Sequence, residues 1–206
     1  IQTMPLVAEL PQGCGYAVVA EAALYGYSGL RLVAEPDGSL RGCFTEKEGF
    51  EVTGQVRTPW RVVLLATTLD ALVNNDLVSH LAPPPDPALF ETTEWAQGGR
   101  SVWSWWQGQV DYLTVEGEKR MIDCASELKF EFTTLDEGWE AWTNAWGVLK
   151  EVCEYGRSNN VRVFVWKHAK ELNLPERDFA ALRVFLDKVR ASGAAGVKVD
   201  FMNSES

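Results

Sequence analysis

The sequence predicts a multidomain chain of α and β structure, an antiparallel β part followed by parallel βα units. Three observations predict it. Residues 1–78 alternate short apolar runs with turns rich in glycine, proline and acids. A proline-rich passage, "PPPDPALFETTEWAQGG" (83–99), then interrupts the chain. Beyond Arg100, strand-like and helix-like segments alternate, and the polar residues Ser104, Asp136, His168 and Asp200 recur at intervals of 32 positions.

In the first part, "YAVVAEAAL", "LRLVAE" and "WRVVLLAT" read as strands, separated by turns such as "EPDGS" and "EKEGF". Short strands at that spacing point to a β-sandwich or a similar antiparallel assembly. In the second part, "SVWSWW" reads as a strand. Residues 111–128 read as a helix with Val115, Met121, Ile122, Ala125 and Leu128 on one face. "FEFTTLDEG" is the next strand. "WEAWTNAWGVLKEVCEYGRS" reads as a helix whose stripe is Trp139, Trp142, Trp146 and Cys153. "VRVFVWKH" is a strand, and "ERDFAALRVFLDKVRASG" is a helix capped by Gly193. "AGVKVDF" is a fourth strand. A (β/α)8 barrel averages roughly 31 residues per unit, so these four units have the phase of half a barrel. No glycine-rich phosphate loop follows the first strand, which argues against a doubly wound nucleotide fold.

Composition narrows the function. The 206 residues carry a net charge of -10, which argues against nucleic acid as partner. No window is long and apolar enough for a membrane span, and no signal peptide is read. Cys14, Cys43, Cys124 and Cys153 show no CxxC spacing. They read as small hydrophobes, with a Cys14–Cys43 bridge as the alternative. Of nine tryptophans, eight lie between Trp95 and Trp166. They fit an aromatic core, or flat platforms for sugar rings.

Barrel chemistry sits at the C-terminal strand ends, where Asp136, His168 and Asp200 fall. Strand alternation puts Lys198 and Asp200 on one face and Val197, Val199 and Phe201 on the other. The pair is either a structural ion pair or a nucleophile or general base beside a lysine that lowers its pKa and holds a hydroxyl. Asp136 reads as a substrate-site acid. Glu137 reads either as such an acid or as a helix N-terminal charge. His168 lines the cleft or is a hydrogen-bonded core histidine. Paired carboxylates fit glycoside hydrolysis, whereas two histidines and no HExxH fit metal-dependent hydrolysis poorly. A non-catalytic carbohydrate-binding protein is the competing reading.

"EAALYGYSGLRL" (21–32), "TPWRVV" (58–63), "GRSVWSWW" (99–106), "LDEGW" (135–139) and "GVKVDF" (196–201) resemble, in order, segments of glycoside hydrolase family 97. The resemblance covers nearly the whole chain. It implies the C-terminal part of a β-sandwich over 1–97 with its linker, and the first half of a (β/α)8 TIM barrel over 98–206. It implies a retaining, exo-acting α-glycosidase whose substrate ends in α-linked galactose or glucose, with α-galactosidase favoured over α-glucosidase. Asp200 stands at the nucleophile position, and Lys198, Asp136, Glu137, His168 and Trp103 become candidate substrate contacts. The family uses calcium, but Pro83 stands where a ligating glutamate is usual, so no metal ligand is assigned here. Lys129 replaces a glycine usual before the second barrel strand. Family habit implies a periplasmic or secreted protein. The acid/base is expected on later strands, so this chain is expected to be a piece of a longer enzyme and inactive alone.

Overall fold

A computed structural model describes residues 2–46, 48–108 and 113–202. The chain divides into two compact units, the first running to Thr93 and the second starting at Glu94.

The first unit holds strands β1 (Gln2–Thr3), β2 (Leu6–Glu9), β3 (Tyr16–Ala22), β4 (Leu30–Ala34), β5 (Leu40–Phe44) and β6 (Trp60–Ala66). They form two three-stranded antiparallel sheets, ordered β2-β3-β6 and β1-β4-β5. Alternation along β3 and β6 turns Ala20, Ala22 and Val62 into a small core, while Val63 and Leu65 stay exposed. Two short helices follow, α1 (Leu69–Val73) and α2 (Leu77–His80), where the sequence suggested only strands. Thr68 caps α1 by accepting from the Ala71 N–H. Val78 of α2 closes over the small core. All four cysteines are free; only Cys153 is buried, and Cys14 and Cys43 form no bridge.

The second unit is a four-stranded parallel sheet, ordered β10-β9-β8-β7, with helices packed on one face. Its elements are β7 (Ser101–Trp103), α3 (Ser104–Gly108), α4 (Val115–Glu127), β8 (Phe132–Leu135), α5 (Ala145–Ser158), β9 (Arg162–His168), α6 (Ala180–Ser192) and β10 (Gly196–Asp200). Leu135, Val163 and Val165 point to the helices and meet Ile122, Ala125, Leu149, Val152, Phe185 and Val189. On the opposite face the rings of Phe132 and Phe164 meet edge to face. Gly196 is required there, because a Cβ would stand 2.4 Å from the Phe164 ring.

Each long helix ends on a left-handed residue: Lys129 (φ 56), Asn160 (φ 59) and Gly193 (φ 83). After α4, Phe130 N–H bonds to Ala125 C=O and Lys129 N–H to Ser126 C=O, a Schellman turn. Lys129 therefore keeps the turn that glycine would make, at a steric cost of roughly 1–2 kcal/mol.

Several boundaries differ from the sequence reading. Ser104 begins a helix rather than ending a strand, and it faces the helical side, fully buried. The helix expected from Asp111 starts at Val115; residues 111 and 112 lie outside the described residues. Leu128 lies past its end and is exposed. Trp139 is not on α5. It starts a 3-10 turn, and Asn144, with φ 54, separates that turn from the helix. The stripe survives in space, since Trp139 and Trp146 still pack edge to face at 5.0 Å.

Candidate active site

The C-terminal ends of β8, β9 and β10 gather the polar residues. Lys198 pairs with Trp166, and Asp200 with His168, across β10 and β9. Leu135 pairs with Val165, so Asp136, the next residue, comes level with Trp166 and hence with Lys198. Lys198 Nζ donates to Asp200 Oδ2 at 2.9 Å and to Asp136 Oδ2 at 3.0 Å. One ammonium thus bridges two carboxylates. It also sits 4.6 Å above the Trp103 ring, whose Nε1–H donates to Asp136 Oδ2 at 2.5 Å.

Asp200 is held from three sides. Trp166 Nε1–H donates to Oδ2 at 3.1 Å, and the Phe201 N–H donates to Oδ1 at 2.9 Å. The Lys198 bond, then Trp166 and the Phe201 amide, pull its pKa down to about 2. Its side chain is 41% exposed, so the acid is ionised yet reachable. Burial alone would lower the Lys198 ammonium, but its bonds to Asp200 and Asp136 outweigh that and raise it. Asp136 is buried, and its second oxygen accepts the Glu137 N–H at 2.8 Å.

The other candidates lie around this cluster. Glu137 is exposed and touches it only through its backbone amide. His168 is half-buried, and its ring stacks on Phe201 at 5.0 Å. Phe201 does not follow the strand alternation expected of it: Asp200 is the last strand residue, and Phe201, with φ 51, swings toward Trp166 and His168. Trp103 also meets the exposed Trp106 at 5.1 Å. The tryptophans therefore divide: Trp139 and Trp166 are core, while Trp106 is a surface ring.

Sequence reasoning missed two features. Trp166 donates directly to Asp200, and its position two residues before His168, on the same face of β9, was the available signal. Lys167, on the helical side, is buried against Glu140 and Glu171, with Nζ–O distances of 2.8 and 2.5 Å. The described residues offer calcium no cluster of carboxylates. Among the described residues no three histidine, cysteine or acidic side chains gather to hold a metal, and Pro83 brings no carboxylate.

Parallel βα units that bring a bridged pair of carboxylates to one end of the sheet define an α/β protein with its polar site at the strand ends. Family models identify which. The model described as "Glycosyl-hydrolase 97 N-terminal" matches residues 2–84, and that of "Glycoside hydrolase 97" matches 95–206. The chain belongs to glycoside hydrolase family 97. A probable retaining alpha-galactosidase of Streptomyces bingchenggensis is 29% identical over 208 residues, covering 93% of this chain and 31% of the relative. A retaining alpha-galactosidase of Bacteroides thetaiotaomicron is 30% identical over 165 residues, covering 71% of this chain and 23% of the relative. The chain thus spans less than a third of the length of these relatives. A crystal structure of a beta-arabinopyranosidase shares the fold, with a TM-score of 0.76 at 24% identity, over 97% of this chain and 34% of the other.

Proposed function

We propose that this chain carries the nucleophile half of a retaining α-galactoside-hydrolysing site. In this reading residues 1–97 belong to a β-sandwich with its linker, and residues 98–206 form the first four units of a (β/α)8 barrel. The shared fold with the arabinopyranosidase structure supports that frame. The observation that carries the chemistry is Asp200: an ionised, partly exposed carboxylate at a strand end, oriented by Lys198, Trp166 and a backbone amide.

Asp200 attacks the anomeric carbon of a terminal α-linked sugar. The new ester bond forms as the bond to the leaving oxygen breaks, and that oxygen takes a proton from a general acid. Water then attacks the same anomeric carbon, gives its proton to the group that acted as the acid, and releases Asp200 as carboxylate. Lys198 donates to a sugar hydroxyl, while Asp136 accepts from one. Every bond Asp136 makes is donated to it, which suits an acceptor rather than a group that delivers a proton. Trp103 and Trp106 offer flat apolar faces to the ring, and His168 and Glu137 flank it. No residue of this chain is assigned as acid/base or as a calcium ligand, and turnover by these 206 residues alone is expected to be absent. The names of the relatives favour galactose over glucose. A periplasmic or secreted location is proposed from family habit alone.

A fluorinated galactosyl fluoride tests the assignment, because its leaving group departs without acid help. Peptide mapping by mass spectrometry should find the galactosyl ester on Asp200, and none in Asp200→Asn. A label on another carboxylate, or no label on a folded chain, refutes the role.

A further inference from the structure

Helix α4 turns an acid into the sheet. Glu118 is fully buried, and neither of its carboxyl oxygens has a hydrogen-bond partner. It lies on the same buried stripe as Ile122 and Ala125, where an apolar residue would pack. The buried hydroxyls of Ser104, just past β7, and of Thr133, on β8, are also without partners. Both strands pack directly against α4.

Among the described residues, none offers this acid a cation. On its own helix, Lys119 is bonded to Glu151 of α5, and Asp123 accepts from Tyr155 of α5. Glu116 and Arg120 are exposed. Helix α3 brings no charged residue. From just past β8, Asp136 acts on Glu118, and its charge repels. An unpaired carboxylate there would be desolvated with nothing to offset it, so burial favours the protonated acid. Burial first, then the Asp136 charge, push its pKa up to about 7. Ser104 works against that rise, although its hydroxyl closes no hydrogen bond with the acid.

We infer that Glu118 is a positioning residue, an acid packed behind the ends of β7 and β8 that burial favours in its neutral form, and that in this form it steadies the Trp103–Asp136 contact and leaves Asp136 to be balanced by Lys198. Asp136 matters to sugar binding only on the reading proposed above. The measurement therefore follows Asp136 and Trp103 themselves, not activity, and fails or succeeds independently of labelling at Asp200.

The test takes the whole polypeptide, with carboxyl carbons and indole nitrogens followed by NMR, and compares wild type, Glu118→Gln and Glu118→Ala. In the wild type, the Asp136 carboxyl and Trp103 Nε1–H resonances should share an inflection near pH 7, where Glu118 ionises. Glu118→Gln, a neutral isostere, should lose that inflection and hold the low-pH Trp103 shift at every pH. Glu118→Ala should displace the Trp103 resonance throughout; if that variant does not fold, the Gln comparison decides alone. The proposal is overturned if neither wild-type resonance inflects, if the inflection survives in Glu118→Gln, or if Gln displaces Trp103 as far as Ala does.

Discussion

Replacing Lys198 with Met keeps the stem and removes the ammonium that joins the two carboxylates. The bond to Asp136 is the larger loss, since that side chain is only 6% exposed; the bond to Asp200, 41% exposed, is screened by water. A hydrogen bond to a charged group contributes about 1.5–3 kcal/mol, and an exposed ion pair about 0–1 kcal/mol. Two effects limit the damage. The Trp103 and Glu137 donors still satisfy Asp136, and Lys198 no longer has to be desolvated. Two carboxylates left facing each other act in the opposite sense. The net expectation is a loss of about 2 kcal/mol from the second unit. Urea unfolding followed by tryptophan fluorescence measures it, because eight of the nine tryptophans lie at or beyond Trp95, within that unit. A cycle with Asp136→Asn should give a coupling of about 1–2 kcal/mol. Because the folded-state pKa of Lys198 is raised, this contribution is present at neutral pH and is lost only as pH climbs past 10.5 through the raised value. A loss below about 0.5 kcal/mol, or an additive cycle, would show that the bridge is incidental.

Asp200→Asn should flatten part of the acid limb of stability: the folded pKa is about 2 against an ordinary 3.8, so the contribution is full above 3.8 and disappears as pH falls toward 2. Thermal unfolding between those pH values checks it, and an unchanged acid limb contradicts it. Glu131, held low by Arg100, supplies a further share of that limb and should leave a residual slope. Lys129→Gly should raise stability by about 1 kcal/mol, because glycine adopts φ 56 without a Cβ clash. The Arg100 bond to the Lys129 carbonyl involves only backbone on that side and survives the change. A fall in the unfolding midpoint would mean that the lysine side chain contributes more than the strain costs.

Strand assignments were legible where the chain alternates or runs apolar: β3, β4, β6, β9 and β10 fall within the segments read as strands. Helix starts were not, because a periodic stripe does not reveal where the backbone turns. Trp139, Trp142 and Trp146 have helical spacing, yet Asn144 adopts a left-handed conformation between them and the helix begins only after it. The "TN" before "AWGVLK" was the available signal, since asparagine tolerates that conformation and precedes helices. Glu118 stayed hidden because an acid in the first turn of a helix is ordinary at an exposed position; only packing makes it unusual. The Lys198–Asp200 pair was legible from alternation alone.

The contact between Lys198 and Asp136 was beyond the reach of spacing. The polar residues repeat at 32 positions, but only β9 and β10 pair at that offset. Ser101 pairs with Phe132, Phe132 with Arg162, and Phe164 with Gly196, so the offset changes from one strand pair to the next. Had the pairing followed the repeat, Asp136 would stand level with His168 and Asp200. It stands instead level with Trp166 and Lys198, one side-chain layer lower on the same face. That step separates the two carboxylates along the strand direction and puts the lysine between them. It leaves Asp200 outermost and exposed, as an attacking group must be, and Asp136 buried beneath Trp103, as a binding group can be. On the proposed reading, the division of labour between the two acids is a consequence of strand register, and a register-preserving change such as Lys198→Met should loosen the pair without exchanging their roles.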